Sequence, residues 1–487
     1  MVGGDLTNNG TVSPGTPANP YGVPASPFGT LTVTGAFTSN AGSTLDANVT
    51  AGGAHNQLLV GTAALNGGSV DVTAAPGLYA IQTDYRIVGA NGAVTGAFTG
   101  VNSPSGLSAS LVYDAHDAFL RLRRTSTGFG FGPGLSFNEA HTAGALDAAV
   151  GAANPAVFTT FANLYNTLIF APAGSLKPDL TNLSGDALTV ANLAAQTVAD
   201  RFHEQLGDQA AQHVRGPAGD PNVWASISRV DDDFEGDNNG PGFNAHATEF
   251  AGGVDFIPMA GLDLGAAVGA SKDDFDHSDR DASGKMDSWM VGGYGRYAPG
   301  QFYLAGQVAY DWHHIKSRRA LLLGGVANAD YHAHTWSGSA EVGGDFVTRW
   351  VRLQPHVGYK VLDVRQDGFA ENGGVGALDV GSSSFDSQRL VTGIRVLGAD
   401  AMSRVQPFAT VSYEHEYGDR VADLDNALPG LPAYRVLSTR LGRDIFTLQT
   451  GAEFQVGKGA ALFVTARVST RTNYDSKSIL GGFKVSW

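Results

Sequence analysis

The sequence predicts an all-β chain in which a 12-stranded antiparallel transmembrane β-barrel with a pore-spanning α-helix is preceded by a short β-solenoid. Three observations predict it. The last ten residues, "SILGGFKVSW", put Ile479, Gly481, Phe483, Val485 and Trp487 on one face of an extended strand and Ser478, Leu480, Gly482, Lys484 and Ser486 on the other. From about residue 220 onward the chain reads at period two, with tight and long connections in alternation. Ahead of those strands lies one helical stretch long enough to cross a membrane and far too polar to face lipid.

Composition sets the outer bounds. The 487 residues include 65 Gly and no Cys, which removes disulfides, thiol catalysis and thiolate metal sites together. With 31 basic and 46 acidic residues the formal charge is −15, which argues against nucleic acid as a partner. Mean hydropathy is −0.07, and no segment approaches the roughly 20 apolar residues of a spanning helix. A membrane location therefore requires a barrel. The opening "MVGGDLTNNGTVSPG" has neither a basic nor an apolar leader region, and reads as a fragment of a longer precursor or a mis-started frame.

From Gly3 to about Arg124, short apolar alternations such as "GTLTVTG", "GGSVDVT" and "AFLRLRR" are broken by Gly, Asn, Ser and Pro. Even spacing of this kind suits a β-solenoid or a small sandwich, and recurrent turns without intervening helices favour the solenoid. Asp46, Asp71, Asp84, Asp114 and Asp117 read as solvated turn residues. A glycine-rich break, "TSTGFGFGPG", then precedes two short helices expected over Asn138 to Ala152 and Phe158 to Ile169. A longer helix is expected from about residue 180 to His213, with Val190, Ala194, Val198, Phe202 and Leu206 one turn apart. At 1.5 Å per residue, about 30 residues span ~45 Å, and a polar lumen satisfies both that length and the helix's polarity.

The remaining strands are expected near 222–230, 243–257, 259–272, 285–297, 301–316, 331–349, 350–364, 385–397, 403–417, 444–456, 460–472 and 476–487. In the seventh, Val351, Leu353, Pro355, Val357, Tyr359 and Val361 alternate with Arg352, Gln354, His356, Gly358 and Lys360. One face suits lipid and the other water. Charges expected on the water face include Asp263, Glu341, Arg352, Lys360, Arg389, Arg395, Glu453 and Arg467, and aromatics near strand ends suit interfacial belts. The helix residues Asp200, Glu204 and Asp208 are the candidates to face Arg352, Lys360, Arg389, Arg395 or Arg467. An even strand count puts both barrel ends on the short-turn side, so the helix either descends through the pore or lies outside the barrel.

The order of a β-solenoid end, "NEAHTAGALDAAV", "LYNTL", "LSGDAL" on a helix, "NVWASISRV" opening the barrel and a terminal "GGFKVSW" resembles autotransporters, the type V secreted proteins of Gram-negative bacteria. The resemblance covers nearly the whole chain. It implies that residues 1–125 are the C-terminal end of a passenger that helps the passenger fold after export, 126–179 a linker, 180–215 the pore helix and 220–487 the outer-membrane translocator. It also implies that Phe483, Val485 and Trp487 carry the signal read by the barrel-assembly machinery, with periplasmic chaperones, outer-membrane lipid and the chain's own passenger as further partners. "LSGD" departs from the commoner "LSGE", and the helix lacks the Asn-Asn pair cleaved in one protease-bearing subgroup, which leaves Asn192 as a conceivable cleavage site.

No catalytic constellation emerges. "GPGLS" and "NLSGD" lack the Gly-x-Ser-x-Gly frame of an esterase elbow, so an enzyme in the full protein would lie upstream. His313 with His314, and His332 with His334, are weighed as metal ligands, but His332 and His334 share the outward side of Trp336 and suit a belt better. The acidic runs "DDDFEGD" and "KDDFDHSDRD" lack the spacing of a calcium loop and read as solvated loops. No cofactor is expected. The expected function is export and anchoring of the chain's own passenger through an outer-membrane barrel that the helix then plugs. The alternatives are an outer-membrane pore with a periplasmic N-terminal domain, and a soluble β-structured adhesin.

Overall fold

A computed structural model of the chain describes residues 1–15, 26–77, 79–80, 82–104, 106–124, 134–152, 154–172, 174–212, 221–277, 280–399 and 404–486. Two units divide it: Met1–Leu135 with Ala143–Leu180, and Ser136–Thr142 with Thr181–Trp487.

In the first unit, Leu6–Asn8, Thr30–Ser39, Gln57–Asn66 and Gln82–Ala90 pair in parallel as one sheet. Thr11–Val12, Thr44–Val49, Ser69–Ala74 and Gly100–Val101 pair in parallel as another. Successive coils thus stack on one another, a solenoid and not a sandwich, and bury Phe37, Leu45, Val49, Leu58, Leu65, Val70 and Val88 between the sheets. An antiparallel hairpin, Leu107–Tyr113 with Asp117–Arg124, pairs against Gln82–Ala90 and ends the parallel stack. Of the five aspartates expected in turns, only Asp114 lies in one, accepting from the backbone N–H of His116 and Asp117 at 2.9 and 2.7 Å. Asp46, Asp71, Asp84 and Asp117 lie in strands, and the guanidinium of Arg121, at 2.7 and 2.8 Å, holds the Asp84 carboxyl below its usual range.

Four helices follow: α1 (Phe137–Gly151), α2 (Pro155–Phe158), α3 (Ala162–Ile169) and α4 (Leu176–Ser184). The single helix expected over 158–169 is therefore two. Asn154 caps α2 by accepting from Ala156 N at 3.0 Å, and Thr159 Oγ1 donates back to the Pro155 carbonyl at 3.1 Å where the helix stops. The long helix is broken as well. Gly185 adopts φ 68°, a left-handed geometry that ends α4, and a 3₁₀ turn (Asp186–Thr189) leads into α5 (Val190–Gln212). At 23 residues α5 is about 35 Å long; residues 213–215 of the expected helix lie outside the described residues.

The barrel strands are β1 (Asn222–Phe234), β2 (Phe243–Met259), β3 (Leu262–His277), β4 (Ala282–Tyr297), β5 (Phe302–Ala320) and β6 (Val326–Gly344), then β7 (Val351–Gln366), β8 (Ser383–Gly398), β9 (Val405–Glu416), β10 (Asp444–Gly457), β11 (Ala460–Arg471) and β12 (Tyr474–Ser486). Each pairs antiparallel with its neighbour, and β12 pairs with β1 from Asn222↔Ser486 to Asp233↔Asp475, closing the sheet on itself. The strands run further outward than expected. "KDDFDHSDRDASGK" and "KSRRALLLGGVANAD", read as long loops, are mostly strand, leaving connections of only residues 278–281 and 321–325. Long-side length is concentrated in residues 367–382 and 417–443, which carry short strands of their own, including Asp423–Ala427 paired with Tyr434–Leu437.

Burial is inverted relative to a water-soluble sheet. Phe250, Val268, Leu304, Val308, Leu448 and Ile479 point outward and are exposed, whereas Lys360, Arg389, Asp311 and Glu416 are buried inside. That inversion excludes the soluble adhesin. Trp289, Trp312 and Trp336 are exposed toward the long-loop end, and Phe302, Phe346 and Trp350 toward the short-turn end. Phe302 and Trp312 lie ten residues apart on β5; at about 3.4 Å per residue and ~40° of tilt that spans roughly 26 Å, the height of a lipid-facing apolar band.

The seam is packed from inside by Phe463, whose ring lies over Gly482: a Cβ there would meet Phe463 Cζ at 2.3 Å and the Ala225 carbonyl at 2.4 Å. Gly482→Val should therefore cost about 1–3 kcal/mol by overpacking, read as a lower temperature for loss of the compact, heat-modifiable form in unboiled gel electrophoresis, with Gly293→Ala, which meets only one atom at 3.7 Å, as the near-neutral control.

Candidate functional site in the barrel lumen

Helix α5 runs inside the closed barrel. Its apolar stripe, Val190, Ala194, Val198, Phe202 and Leu206, is buried in one cluster with Phe275, Met286, Met290, Ala309 and Phe385 of the wall. Small residues on the wall admit it: a Cβ on Gly292 would meet Leu206 Cδ1 at 2.5 Å, and one on Gly269 would meet the Phe202 ring at 3.1 Å. The opposing faces of the helix are polar and ionic. A lumen of this kind leaves each charge little water to fall back on, so each needs a partner.

The wall supplies partners of opposite sign on opposite sides. Toward β7, β8 and β11, Asp200 meets Lys360 Nζ at 3.0 Å and Arg389 Nη1 at 2.8 Å. Glu204 meets Lys360 at 3.7 Å and Arg467, and Asp208 meets Arg467 at 3.1 Å and accepts from Gln449 Nε2 at 2.7 Å. Glu414 and Glu416 interleave with these cations, at 3.2 Å from Lys360 and 2.8 Å from Arg389. Toward β1, β2 and β3, Arg201 donates to Glu249, Asp232 and Asp273 at 2.5, 2.7 and 3.0 Å. Neutral contacts add register: His203 bonds Ser337 and Ser339 at 3.0 and 2.9 Å, and Asn192 Nδ2 donates to Ser383 at 2.9 Å.

Of the residues singled out from sequence, Asp200, Glu204 and Asp208 are thus brought together with Lys360, Arg389 and Arg467. The others take their ion-pair partners from the wall. Arg395 binds Glu341 at 2.7 Å, Arg352 binds Asp345, and Glu453 lies 3.5 Å from Lys484. Phe483 and Val485 lie on β12 and face outward, and Trp487 lies outside the described residues. His313 turns into the lumen between Ser288 and Thr335, at 2.8 and 3.0 Å, while His314 turns outward and stacks on His332, so adjacent histidines do not share a face. Among the described residues no three of His, Asp and Glu converge as metal ligands.

Sequence reasoning missed the Arg201 site. Asp232 and Asp273 lie in the runs read as loops, yet each precedes by two a buried phenylalanine, Phe234 and Phe275, which marks the inward face of a continuing strand. It also missed how the helix entrance is held. Tyr434 Oη donates to the Leu183 carbonyl at 2.6 Å, Asn426 Nδ2 to the Ser184 carbonyl at 2.8 Å, and Arg280 binds Asp186 at 3.1 Å. Burial pushes the Tyr434 hydroxyl up, keeping it a donor. A Cβ on Gly185 would lie 2.4 Å from Leu378 Cδ1. Arg319 ties the same region together, donating to the Asn182 carbonyl at 2.9 Å and to Glu371 at 2.5 Å. Asn138 reaches the Asn239 and Leu437 carbonyls at 2.7 and 2.8 Å. The long-side loops therefore close on the "LSGD" turn through its backbone. Beside the other end of α5 remains a cavity of about 100 Å³ bordered by Glu204, Asp208, Glu341, Lys360, Arg395 and Arg467, room for about three waters.

Two substitutions test this geometry. Arg201→Met leaves three carboxylates facing one another and should weaken helix docking by about 3–5 kcal/mol, seen as protease access to α5 in the folded barrel, with Arg201→Lys less severe. Gly185→Ala strains a left-handed residue against Leu378 and should cost about 1–3 kcal/mol, read as a lower urea midpoint for the same protection.

A family model for the autotransporter beta-domain matches residues 223–467. Among curated proteins, an extracellular serine protease of Serratia marcescens is 23% identical over 542 residues, covering 98% of this chain and 51% of that protein. A second extracellular serine protease of Serratia marcescens is 23% identical over 294 residues, covering 59% of this chain and 28% of its own length. The chain thus spans about half the length, or less, of the curated relatives it matches. Among solved structures, the translocator domain of the autotransporter NalP from Neisseria meningitidis aligns with a TM-score of 0.51 at 17% identity, over 60% of this chain and 96% of that one, a likeness of fold.

Proposed function

The chain belongs to the autotransporter family, and on that premise we propose that α5 is the plug of its outer-membrane translocator barrel, left in the pore after the preceding chain has been exported. The observation that carries this reading is the direction of α5. Its N-terminal end is held by the long-side loops through Leu183, Ser184 and Asp186, and its C-terminal part lies by Gln307, Gln449 and Arg467 toward the short turns. In outer-membrane barrels the long loops are extracellular and the short turns periplasmic, so chain preceding the helix leaves on the cell-surface side. Residues 1–125 are then the C-terminal end of a passenger, 126–179 a linker and 220–487 the translocator. The charge pairs of Asp200, Glu204 and Asp208 hold the plug against Lys360, Arg389 and Arg467, and Arg352, Arg395 and Glu453 line the pore around it.

Assembly of the barrel rests in this reading on the terminal strand. Phe483 and Val485, which face outward on that strand, together with Trp487 are the residues presented to the barrel-assembly machinery, after escort by periplasmic chaperones. The chain transports and anchors; an activity such as that named for the Serratia relatives would belong to passenger sequence ahead of it.

Planar-bilayer recording tests the plug. Removing Val190–Gln212 should raise single-channel conductance several-fold, and unchanged conductance would refute the plug. Truncation of residues 483–487 should abolish the heat-modifiable outer-membrane form, and a normally assembled truncation would refute the terminal signal.

A further inference from the structure

The outer end of β9 and the loop after it bring together three arginines. Leu441 N donates to the Arg420 carbonyl and Glu416 N to the Arg443 carbonyl, both at 2.9 Å, so the backbone pairing sets Arg420 beside the Arg440–Arg443 turn. The turn itself is pinned, with Asp237 accepting from Arg440 N at 2.8 Å and Asn473 donating to the Arg440 carbonyl at 2.9 Å. The guanidinium groups find only backbone: Arg420 Nε donates to the Leu441 carbonyl at 2.7 Å and Arg443 Nη1 to the Glu416 carbonyl at 2.5 Å.

The neighbouring acids are committed elsewhere. Asp444 accepts from Tyr413 and pairs with His415, Asp237 accepts from the backbone N–H of Asn239, Gly240 and Arg440, and Asp419 accepts from Asp386 N. Among the described residues none of the three guanidinium groups forms an ion pair. Partial burial and the positive charges of Arg443 and Arg440 hold Arg420 below its ordinary range. Asp444 offsets part of the charge at Arg420, and three clustered cations with one such acid, in a chain of net charge −15, call for a further anion.

Their height identifies its source. Phe446, outward and exposed, packs on Tyr413 with ring centroids 5.2 Å apart, and exposed Tyr417 packs on His415 at 4.9 Å. Arg443 precedes Phe446 by three residues, about 10 Å of strand and ~8 Å of height at ~40° of tilt, within the roughly 5–8 Å of one polar headgroup layer. We propose that Arg420, Arg440 and Arg443 bind the phosphate of a phosphorylated lipid headgroup in the outer leaflet. The planar guanidinium fork matches phosphate oxygens, and the aromatic ledge formed by Phe446 and Tyr417 receives the apolar part of the same lipid.

Native mass spectrometry of the full chain, reconstituted in phosphatidylethanolamine nanodiscs with a minor share of diphosphoryl lipid A, tests the site. Wild type should retain the glycolipid, and Arg420→Gln/Arg443→Gln should lose it about a hundredfold, roughly tenfold per guanidinium removed. Lys285→Gln/Lys316→Gln, on the outer face of β4 and β5, should retain it, and wild type should not retain the same lipid stripped of its phosphates. The single exposed change Arg440→Gln, checked for heat-modifiable folding, gives an intermediate loss and guards against misfolding of the double variant. Retention by the double variant, equal retention of the dephosphorylated lipid, or displacement by inorganic phosphate alone would each overturn the assignment.

Discussion

A sheet in hydrocarbon cannot leave an edge, because no water is present to satisfy the exposed N–H and C=O groups. The seam between β1 and β12 meets that constraint, register by register from Asn222↔Ser486 to Asp233↔Asp475. Everything else in the second unit follows from closure. Twelve strands return both barrel ends to the same side, so a helix that enters from the long-loop side must run down the lumen to reach the first strand. The terminal strand, met in the sequence as an apolar stripe without a partner, is one half of the closure.

Within the lumen, the helix is oriented by charges of two signs. Asp200 and Arg201 are consecutive and so point about 100° apart, one toward Lys360 and Arg389, the other toward Asp232, Glu249 and Asp273. Rotating or sliding α5 by one residue would set like charges face to face. Desolvation offsets much of the Coulomb gain of buried pairs, so their main effect is on register, while the apolar stripe against Phe275, Met286 and Met290 contributes the bulk of the binding.

The strands were legible because lipid on one side and polar lumen on the other impose the same alternation on every one of them. Their outer ends were not, because above the membrane both faces turn polar and strand reads as loop, as at Asp231–Asp233 and Lys272–Asp276. Asp200, Glu204 and Asp208 were visible as a helix face, and Lys360, Arg389 and Arg467 as lumen charges. Which cation each acid meets depends on stagger and helix rotation, which are non-local. For the same reason Arg352 and Arg395, indistinguishable in sequence from Arg389, turn to Asp345 and Glu341 instead. The break at Gly185 was hidden because glycine inside a helical pattern reads equally as tolerated or terminating; only the packing of Leu378 and Asn426 selects the second.

The overhang of the strands gives the helix two attachments in different media. Beyond Trp312, β5 continues for eight residues to Ala320, about 20 Å above the outer aromatic level at ~40° of tilt. The grip on Leu183, Ser184 and Asp186 therefore belongs to a collar standing above the membrane, while the ion pairs of Asp200 and Glu204 lie at membrane depth. The collar grips through largely neutral groups buried with their partners, Asn426 on Ser184 and Tyr434 on Leu183; the charges at depth cannot part without stranding one another. The helix is thus held twice, by a largely neutral grip above the membrane and by ion pairs within it.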